Sequence, residues 1–222
     1  MTLVLASTSP RRYQILALLG PPFLMVPPAC REVLSGARPP AQEALHQARQ
    51  KAASLVSRFP DAVILGSDTL INLDGRLIGK PNSLDDARAI LQRLRGRSHD
   101  VVTAVCLIES PPPFPSALEG EGADGKCFEW VETVKVAMRD FTDMELDAYL
   151  ATGDPLDKAG AYAVQGAGRD LVENLDGDYL AVVGLPLRAV VQGLAKLGCP
   201  VPADVDRLYR EREVFNWRTF ES

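Results

Sequence analysis

The segment Ser7 to Arg12 (STSPRR) has the residue types and the spacing of a phosphate-binding turn. It follows an apolar run, and Ser9 with Pro10 is typical of the start of a helix. A helix N-terminus favours an anion, because its backbone N–H groups lack helical partners and its dipole is positive there. Arg11 and Arg12 oppose that dipole unless phosphates lie between them. The spacing fits equally well two solvated arginines that pair with surface acids.

Asp68 is the second candidate, because it lies inside the apolar run VILGSDTLINL beside Gly66. A buried carboxylate is costly unless it is paired, binds a metal or faces a cleft. Asp68 is therefore a candidate general base or metal ligand. The alternative is a bulge or turn at GSDT that leaves Asp68 at the surface.

Three further charged residues can join this site. The Asp-Gly pair at 74–75 predicts a hairpin turn that can fold Lys80 back toward Asp68. Lys51 lies at the edge of the apolar stripe of the second predicted helix, where a lysine on its own commonly extends its ammonium to solvent. Glu32 follows an irregular PPAC stretch and is, by itself, an ordinary loop acid.

The segment 154–168 (DPLDKAGAYAVQGAG) is rich in glycine and has little periodicity, so we predict an ordered loop or a set of tight turns. Loops of this kind often approach a ligand closely. Gln165 in this loop can read the edge of a base, because an amide offers both a donor and an acceptor. Taken alone, Gln165 is explained as well by a solvated turn.

Composition limits the class of function. The chain has 222 residues, of which 46% are hydrophobic and 24% charged, and this balance is typical of a globular protein. The net charge of −5 and the lack of a basic stripe argue against nucleic-acid binding. No apolar run is long enough to span a membrane, and the first residues do not form a signal peptide. We expect a cytoplasmic protein that binds neither nucleic acid nor membrane.

The cysteines and histidines offer little further chemistry. Cys106 lies in an apolar run and is expected to behave as a small buried hydrophobe. The four cysteines form no CxxC pair, so we expect reduced thiols without a disulfide or zinc role: Cys30, Cys106, Cys127 and Cys199. His46 and His99 lie far apart and leave little material for a Ser-His-Asp triad.

Periodicity and turn residues place these candidates on alternating helices and strands. Strands are predicted at 2–7, 62–66, 70–73, 76–78, 101–108, 128–138, 171–175 and 179–183, the last two joined by a hairpin at 176–177. Helices are predicted, caps included, at 9–20, 40–59, 83–96, 142–153 and from 186 onward. Because hairpins interrupt the alternation, we predict a mixed sheet. The stretch 109–127 is predicted to be a long loop, and the charged tail after Gly198 to be peripheral.

Together these segments resemble the Maf family of nucleoside triphosphate pyrophosphatases. The matching pieces occur in the family's order across residues 3–198: LASTSPRR, Glu32, RQKA with Lys51, GSDT around Asp68, GKP at Lys80, DKAGAYAVQG at 157–166 and VVGLP at 182–186. Each piece is weak by itself, whereas the ordered set is specific. The departures are the long stretch 109–127 and the tail after Gly198, and neither touches a motif.

The resemblance implies an α/β (mixed α+β) fold, with an elongated, strongly twisted mixed β-sheet flanked by helices and a cleft between two lobes. It implies a single catalytic domain over 1–198 and a peripheral tail over 199–222. It also implies a hydrolase that uses a divalent metal, Mg²⁺ or Mn²⁺, when water attacks the α-phosphate and pyrophosphate leaves. Such an enzyme would clear nucleotides from the pool, with a link to cell-division arrest.

The resemblance also implies roles for individual residues. Asp68 would be the proton acceptor and Glu32 would help to hold the metal or the water, so both are candidate metal ligands. The residues that would grip the phosphates are Ser7, Ser9, Arg12, Lys51 and Lys80. The residues that resemble the branch acting on dTTP and UTP are Arg11, Thr69 and Gln165. Whether Asp68 acts mainly as base or as metal ligand does not follow from the sequence.

Three alternatives stay open. A non-catalytic nucleotide sensor that regulates septation would keep the cations but tolerate loss of Asp68 and Glu32. A pyrophosphatase of the related 7-methyl-GTP branch typically lacks the DKAGAYAVQG-like stretch in this form. An RNA-binding protein could use Arg11 and Arg12, but the net charge weighs against it. The expected partner is a nucleoside triphosphate, and a homodimer is one assembly that we consider.

Overall fold

The computed structural model describes residues 1–111 and 126–210, which form one seven-stranded mixed sheet flanked by seven α-helices. The strands are β1 Thr2–Ala6, β2 Phe23–Val26, β3 Ala62–Leu73, β4 Arg76–Ile78, β5 Ser98–Glu109, β6 Cys127–Met138 and β7 Val172–Asp176. The helices are α1 Pro10–Ala17, α2 Pro40–Ala53, α3 Leu84–Leu94, α4 Asp143–Ala151, α5 Tyr179–Val183, α6 Leu187–Lys196 and α7 Val205–Arg210.

The sheet combines parallel and antiparallel pairing. Its strand order is β2-β1-β3-β5-β6-β7, and the short β4 pairs with β3. β1 runs parallel to both of its neighbours, whereas β3, β5, β6 and β7 pair antiparallel in succession. The predicted mixed α/β class is therefore confirmed.

Strand β3 carries two of the candidate site residues. The sequence predicted two short strands at 62–66 and 70–73, but the chain is extended without a break over Ala62–Leu73. Its residues are buried along nearly the whole length, because β1 and β5 pair with it on either side. Asp68 and Thr69 thus lie in the middle of a strand, on opposite faces of the sheet, and not in a turn.

Gly66 allows helix α2 to lie directly on β3. A Cβ at position 66 would overlap the carbonyl oxygen of Ala48 and would lie 2.8 Å from the backbone nitrogen of Ala52. Both alanines are fully buried in this contact. Lys51 directly precedes Ala52, and Asp68 lies two residues after Gly66. The close approach of helix and strand therefore brings the two charged side chains together.

The second predicted hairpin is wrong, because residues 179–183 form helix α5 and not a strand. Asp178 decides the outcome. Its Oδ1 accepts hydrogen bonds from the backbone N–H groups of Leu180, at 2.8 Å, and Ala181, at 3.4 Å, and so caps a helix. β7 pairs with β6 instead.

Other element boundaries also differ from the sequence prediction. Helix α2 ends at Ala53 and is followed by a 3₁₀ turn, where the pattern predicted helix to residue 59. Strand β2 was missed, because its four residues FLMV are too few to show a period. β5 and β6 extend into the predicted loop at 109–127, and the part of that loop at 112–125 lies outside the described residues.

Residues 199–210 contact the body of the protein. Val205 of α7 is buried in the apolar cluster formed with α1 and α6. The Tyr209 hydroxyl donates a 2.7 Å hydrogen bond to the Asp178 carboxylate. Residues 211–222 of the predicted peripheral tail lie outside the described residues. Among the described helices, none combines the length and the apolar character needed to cross a membrane.

Candidate active site

One cavity of about 480 Å³ brings together residues that are spread along the chain from position 6 to position 183. Its walls come from the turn before α1, the end of α2, the middle of β3, the residues after β4 and the glycine-rich loop. All ten of the sequence-predicted site residues line it: Ser7, Ser9, Arg11, Arg12, Glu32, Lys51, Asp68, Thr69, Lys80 and Gln165. The placement fits the predicted site, while the individual roles stay predictions.

A buried lysine links the two carboxylates of the site. The Nζ of Lys51 lies 2.6 Å from Oδ1 of Asp68 and 2.7 Å from Oε1 of Glu32. The Lys51 side chain is only 4% exposed, so its ammonium does not extend to solvent as an isolated surface lysine would. It also donates toward the carbonyl oxygen of Ser67 at 3.4 Å. Lys51 therefore fixes where both acids point.

The two acids differ in proton affinity. Burial raises the pKa of Asp68, and the nearby charges of Lys51 and Arg12 offset only part of this rise. Burial also raises the pKa of Glu32, but the hydrogen bond and charge of Lys51, with the charges of Lys80 and Arg12, outweigh it and lower that pKa overall. Of the two, Asp68 is thus the stronger base, and Glu32 is the acid that stays ionised.

A polar face of α2 holds the loop that carries Glu32. Glu43, Gln47 and Lys51 are spaced four residues apart, lie on one side of the helix and are all buried. Glu43 accepts a 2.6 Å hydrogen bond from the Ser35 hydroxyl, and the Gln47 amide donates to the carbonyl oxygen of Val33 at 2.7 Å. The helix therefore anchors residues 33–35 with two side chains and Glu32 with the third.

Arg12 is held by the backbone at the end of α5. Its Nε donates a 2.9 Å hydrogen bond to the carbonyl oxygen of Gly184, which also accepts from the Ser67 hydroxyl at 2.9 Å. Gly184 has φ +128°, and a Cβ there would lie 3.3 Å from Arg12 Nε. A glycine is thus required both by the backbone conformation and by the contact with the arginine.

The hydroxyl of Thr69 is oriented by a neighbouring threonine. Thr103, which is fully buried, lies 2.7 Å from the carbonyl oxygen of Ala181 and 2.9 Å from Thr69 Oγ1. A carbonyl oxygen only accepts, so the single Thr103 proton points to Ala181 and Thr69 must donate to Thr103. Thr69 also accepts from Arg12 Nη2 at 3.2 Å. Toward the cavity, Thr69 can therefore only accept a hydrogen bond.

The turn before α1 is closed by its own serines. Ser7 Oγ accepts from the backbone N–H of Ser9 at 3.1 Å, and Ser9 Oγ accepts from that of Arg12 at 3.5 Å, which completes the predicted N-cap. The first distance is within the normal range for a hydrogen bond from N–H to oxygen, whereas the second is long. A phosphate oxygen can compete with either acceptor, because the turn itself lines the cavity.

The glycine-rich loop places Gln165 and a charge pair at the opposite wall. Gln165 is buried, and among the described residues its Nε2 has no hydrogen-bond partner of normal geometry. Burial raises the pKa of the nearby Tyr179 hydroxyl to about 12, and the Gln165 amide offsets part of this rise. Arg11 Nη1 lies 3.7 Å from Asp157 of the same loop. An unpaired buried donor is costly, so Gln165 is suited to a ligand that supplies an acceptor.

The donor set of the cavity suits an oxygen-seeking cation. Asp68 and Glu32 supply carboxylate oxygens that lie close together, because both contact the Lys51 ammonium, and the surrounding arginines and lysines can hold the phosphates that complete such a site. Mg²⁺ is commonly bound in this way, by one or two carboxylates together with substrate phosphates. The residues therefore fit the divalent metal that the sequence resemblance implies.

Comparison with known proteins places the chain in a family. A family model described as Maf-like protein matches residues 2–197. The chain belongs to the Maf family. Among its Maf relatives, a protein of Moorella thermoacetica named dTTP/UTP pyrophosphatase is 42% identical over 199 residues, 90% of this chain and 96% of that protein. One of the same name from Dictyoglomus thermophilum is 40% identical over 197 residues, 88% of this chain and 96% of that protein.

Solved structures give a more distant match. A HAM1 protein from Coxiella burnetii is 15% identical, with a TM-score of 0.45 over 89% of this chain and 96% of that chain. The family assignment of this Maf protein depends on the sequence relatives and confirms the resemblance inferred from its motifs.

Proposed function

We propose that this Maf protein hydrolyses dTTP and UTP to the monophosphate and pyrophosphate with the help of a divalent metal. The observation that carries the proposal is the buried Lys51, which holds Asp68 and Glu32 together at the wall of a cavity rich in cationic side chains. Relatives that share at least 40% of their residues with the chain bear the name of this activity.

Asp68 is the group that accepts a proton from the attacking water. Its burial raises its pKa, which strengthens it as a base, and Lys51 holds it in one position. The water attacks the α-phosphate, and pyrophosphate leaves with the electrons of the broken anhydride bond. Asp68 and Glu32 would hold Mg²⁺ or Mn²⁺, which supplies charge neutralisation at the phosphate oxygens.

The cationic side chains bind the triphosphate. Arg12 is fixed by Gly184 and Thr69, so it presents its guanidinium in a defined direction. Lys80 is exposed at the rim, close enough to Glu32 to influence its pKa. Ser7 and Ser9 contribute hydroxyl and backbone donors at the N-terminus of α1. Phosphoryl-transfer sites depend mainly on such positioning and charge neutralisation.

The base is selected by the direction of hydrogen bonds. Uracil and thymine present an N–H donor between two carbonyl oxygens, whereas cytosine presents an acceptor and an amino group instead. Thr69 can only accept toward the cavity, which matches the ring N–H, and the Gln165 Nε2 can donate to a carbonyl oxygen. A site of this kind rejects a base that leaves its polar groups unpaired.

The direct test is turnover of a nucleotide panel with Mg²⁺, in which pyrophosphate and orthophosphate are measured separately. We expect pyrophosphate from UTP and dTTP, with lower efficiency on CTP and GTP. Orthophosphate as the only phosphorus product would contradict the proposal. A preference for 7-methyl-GTP would assign the chain to the other branch of the family, and binding without turnover would favour a sensor.

A further inference from the structure

A second cluster of metal-binding side chains lies away from the cavity, between helix α2 and strands β5 and β6. Cys106 of β5 is directly opposite Glu129 of β6, and Cys127 lies two residues before Glu129, so all three side chains are on one face of the sheet. None of them is among the residues that line the described cavity.

We infer that Cys106, Cys127 and Glu129 form a second metal site, which takes a thiophilic divalent cation such as Zn²⁺. The two sulfurs are 3.9 Å apart, and they lie 3.7 Å and 3.8 Å from Oε1 of Glu129. Two sulfur corners of a tetrahedron around Zn²⁺ are about 3.8 Å apart, because each Zn–S bond is about 2.3 Å long. The three donors thus already have the spacing of three tetrahedral ligands.

Charge and access also suit this cation. Two thiolates and a carboxylate carry three negative charges, which a divalent cation and the Arg49 guanidinium balance together. Arg49 binds Glu129 through two hydrogen bonds of 2.6 Å and 2.7 Å, so the carboxylate is oriented by a partner outside the metal shell. Cys106 is buried and Cys127 is exposed, which leaves the fourth coordination position open to a water molecule.

The thiols must lose their protons when the cation binds. Burial raises the pKa of both cysteines, so without a metal they are neutral donors toward Glu129. Binding of one divalent cation therefore releases two protons to solvent, and no electron is transferred. The bound cation would join neighbouring strands through Cys106 on one side and Cys127 and Glu129 on the other.

The proposed site gives a metal-binding role to two cysteines for which the sequence spacing predicted none. Cys106 and Cys127 are separated by 21 residues in sequence, so no short metal-binding motif reveals them. The antiparallel pairing of β5 with β6 brings them together. The cluster is independent of the nucleotide site, because its three side chains and Arg49 contact neither Asp68 nor Lys51 through any hydrogen bond of the described residues.

The test uses the reduced full-length chain, stripped of metal and titrated with Co²⁺ alone in oxygen-free buffer. Thiolate ligation of Co²⁺ produces a charge-transfer absorption band, which Mg²⁺-type oxygen sites do not give. We expect this band to saturate at one Co²⁺ per chain and to disappear when Zn²⁺ is added. Cys127→Ser should remove most of it, and Glu129→Gln should weaken Co²⁺ binding by at least about tenfold.

Cys199→Ser and Cys30→Ser are the matched controls, because both residues are free cysteines that make no contact with the cluster among the described residues. Both variants should keep the band. Cys127 is exposed, so its substitution is expected to leave the fold intact, which circular dichroism checks. The inference is overturned if the reduced chain gives no thiolate band, including the case in which the two thiols only form a disulfide in air. It is also overturned if the band survives in Cys127→Ser.

Discussion

The ammonium of Lys51 lies 2.6 Å from the carboxylate of Asp68, although the two residues belong to different elements and both are buried. The contact exists because Gly66 has no side chain to separate α2 from β3. It gives Asp68, the proposed base, a fixed position and a positive neighbour, while burial keeps the pKa of this carboxylate raised. The position of the proposed base therefore depends on how closely α2 approaches β3.

Asp68→Asn should lower kcat by about 10²–10⁴-fold, the usual loss when a positioned base is removed. The fold should persist, because Lys51 keeps Glu32 as an ionic partner. Steady-state kinetics on UTP with circular dichroism on the same sample measures both effects. Near-normal turnover in a folded variant would remove Asp68 from the chemistry.

Gly66→Ala should destabilise the protein by at least about 1–3 kcal/mol, because the new methyl group overlaps the backbone of α2. The control is Gly79→Ala, whose Cβ would meet only Leu34 at 4.0 Å. Urea unfolding of the two variants gives the comparison. Equal stabilities would show that α2 can move away from β3 at little cost.

Gln165→Ala should reduce kcat/KM on UTP, because it removes one or two hydrogen bonds to the base, which together contribute about 1–3 kcal/mol. It should also narrow the preference for UTP over CTP. Lys80→Ala should weaken all triphosphates alike, since phosphates carry no information about the base. The measurement is kcat/KM for both variants on UTP, dTTP, CTP and GTP. An equal loss of kcat/KM on all four nucleotides in Gln165→Ala would show that the loop at 154–168 has a structural role and does not select the base.

Thr103→Val should reduce discrimination between UTP and CTP more than it reduces kcat on UTP. The substitution removes the acceptor of the Thr69 proton, so Thr69 becomes able to donate toward the ring nitrogen of cytosine. Thr103→Ser keeps the hydroxyl and is the matched control. Unchanged UTP/CTP ratios in Thr103→Val would show that Thr103 does not orient Thr69.

Glu43→Gln should lower stability at neutral pH by about 1–3 kcal/mol, because the buried carboxylate loses charged hydrogen bonds. Burial opposes ionisation of Glu43, but hydrogen bonds from Ser35, Gln47 and Arg38 outweigh it and lower its pKa to about 2. Because the pKa of Glu43 is lower in the folded protein than its ordinary value of about 4.5 in the unfolded chain, the ionised carboxylate stabilises the fold above pH 4.5. This stabilisation is lost as the pH falls toward 2.

The wild-type protein should therefore lose stability between pH 4.5 and 2 more steeply than Glu43→Gln does. Urea unfolding at a series of pH values, read as the free energy of unfolding, measures both slopes. Parallel slopes would mean that Glu43 is not the group whose protonation weakens the fold in this range.

The sequence predicted which residues line the cavity better than it predicted the contacts between them. Local signals were sufficient for the Ser9 cap and for the hairpin that returns Lys80, because each depends on a few neighbouring residues. The four-residue spacing of Glu43, Gln47 and Lys51 can be seen in the sequence, but the apolar stripe beside these residues was sufficient to predict helix α2. Glu43 and Gln47 hold the loop at 33–35, and no local pattern of the sequence reveals these contacts.

Two further features needed the three-dimensional structure. Thr103 lies in the run VVTAV, where a threonine only supports the prediction of a strand, and its role comes from contacts with Thr69 and Ala181. Helix α5 was predicted as a strand, because the Asp-Gly hairpin signal at 176–177 outweighed the capping signal of Asp178. In both cases the outcome depends on a side-chain contact that the local pattern of the sequence does not show.

Hydrolysis of UTP in water labelled with heavy oxygen tests the central claim most directly, because the label marks the phosphorus atom that water attacks. After a single turnover with Mg²⁺, mass spectrometry of the two products locates the label. We predict that it appears in UMP and not in pyrophosphate, since the attack directed by Asp68 is at the α-phosphate. Label in pyrophosphate, or release of orthophosphate that carries it, would contradict this assignment.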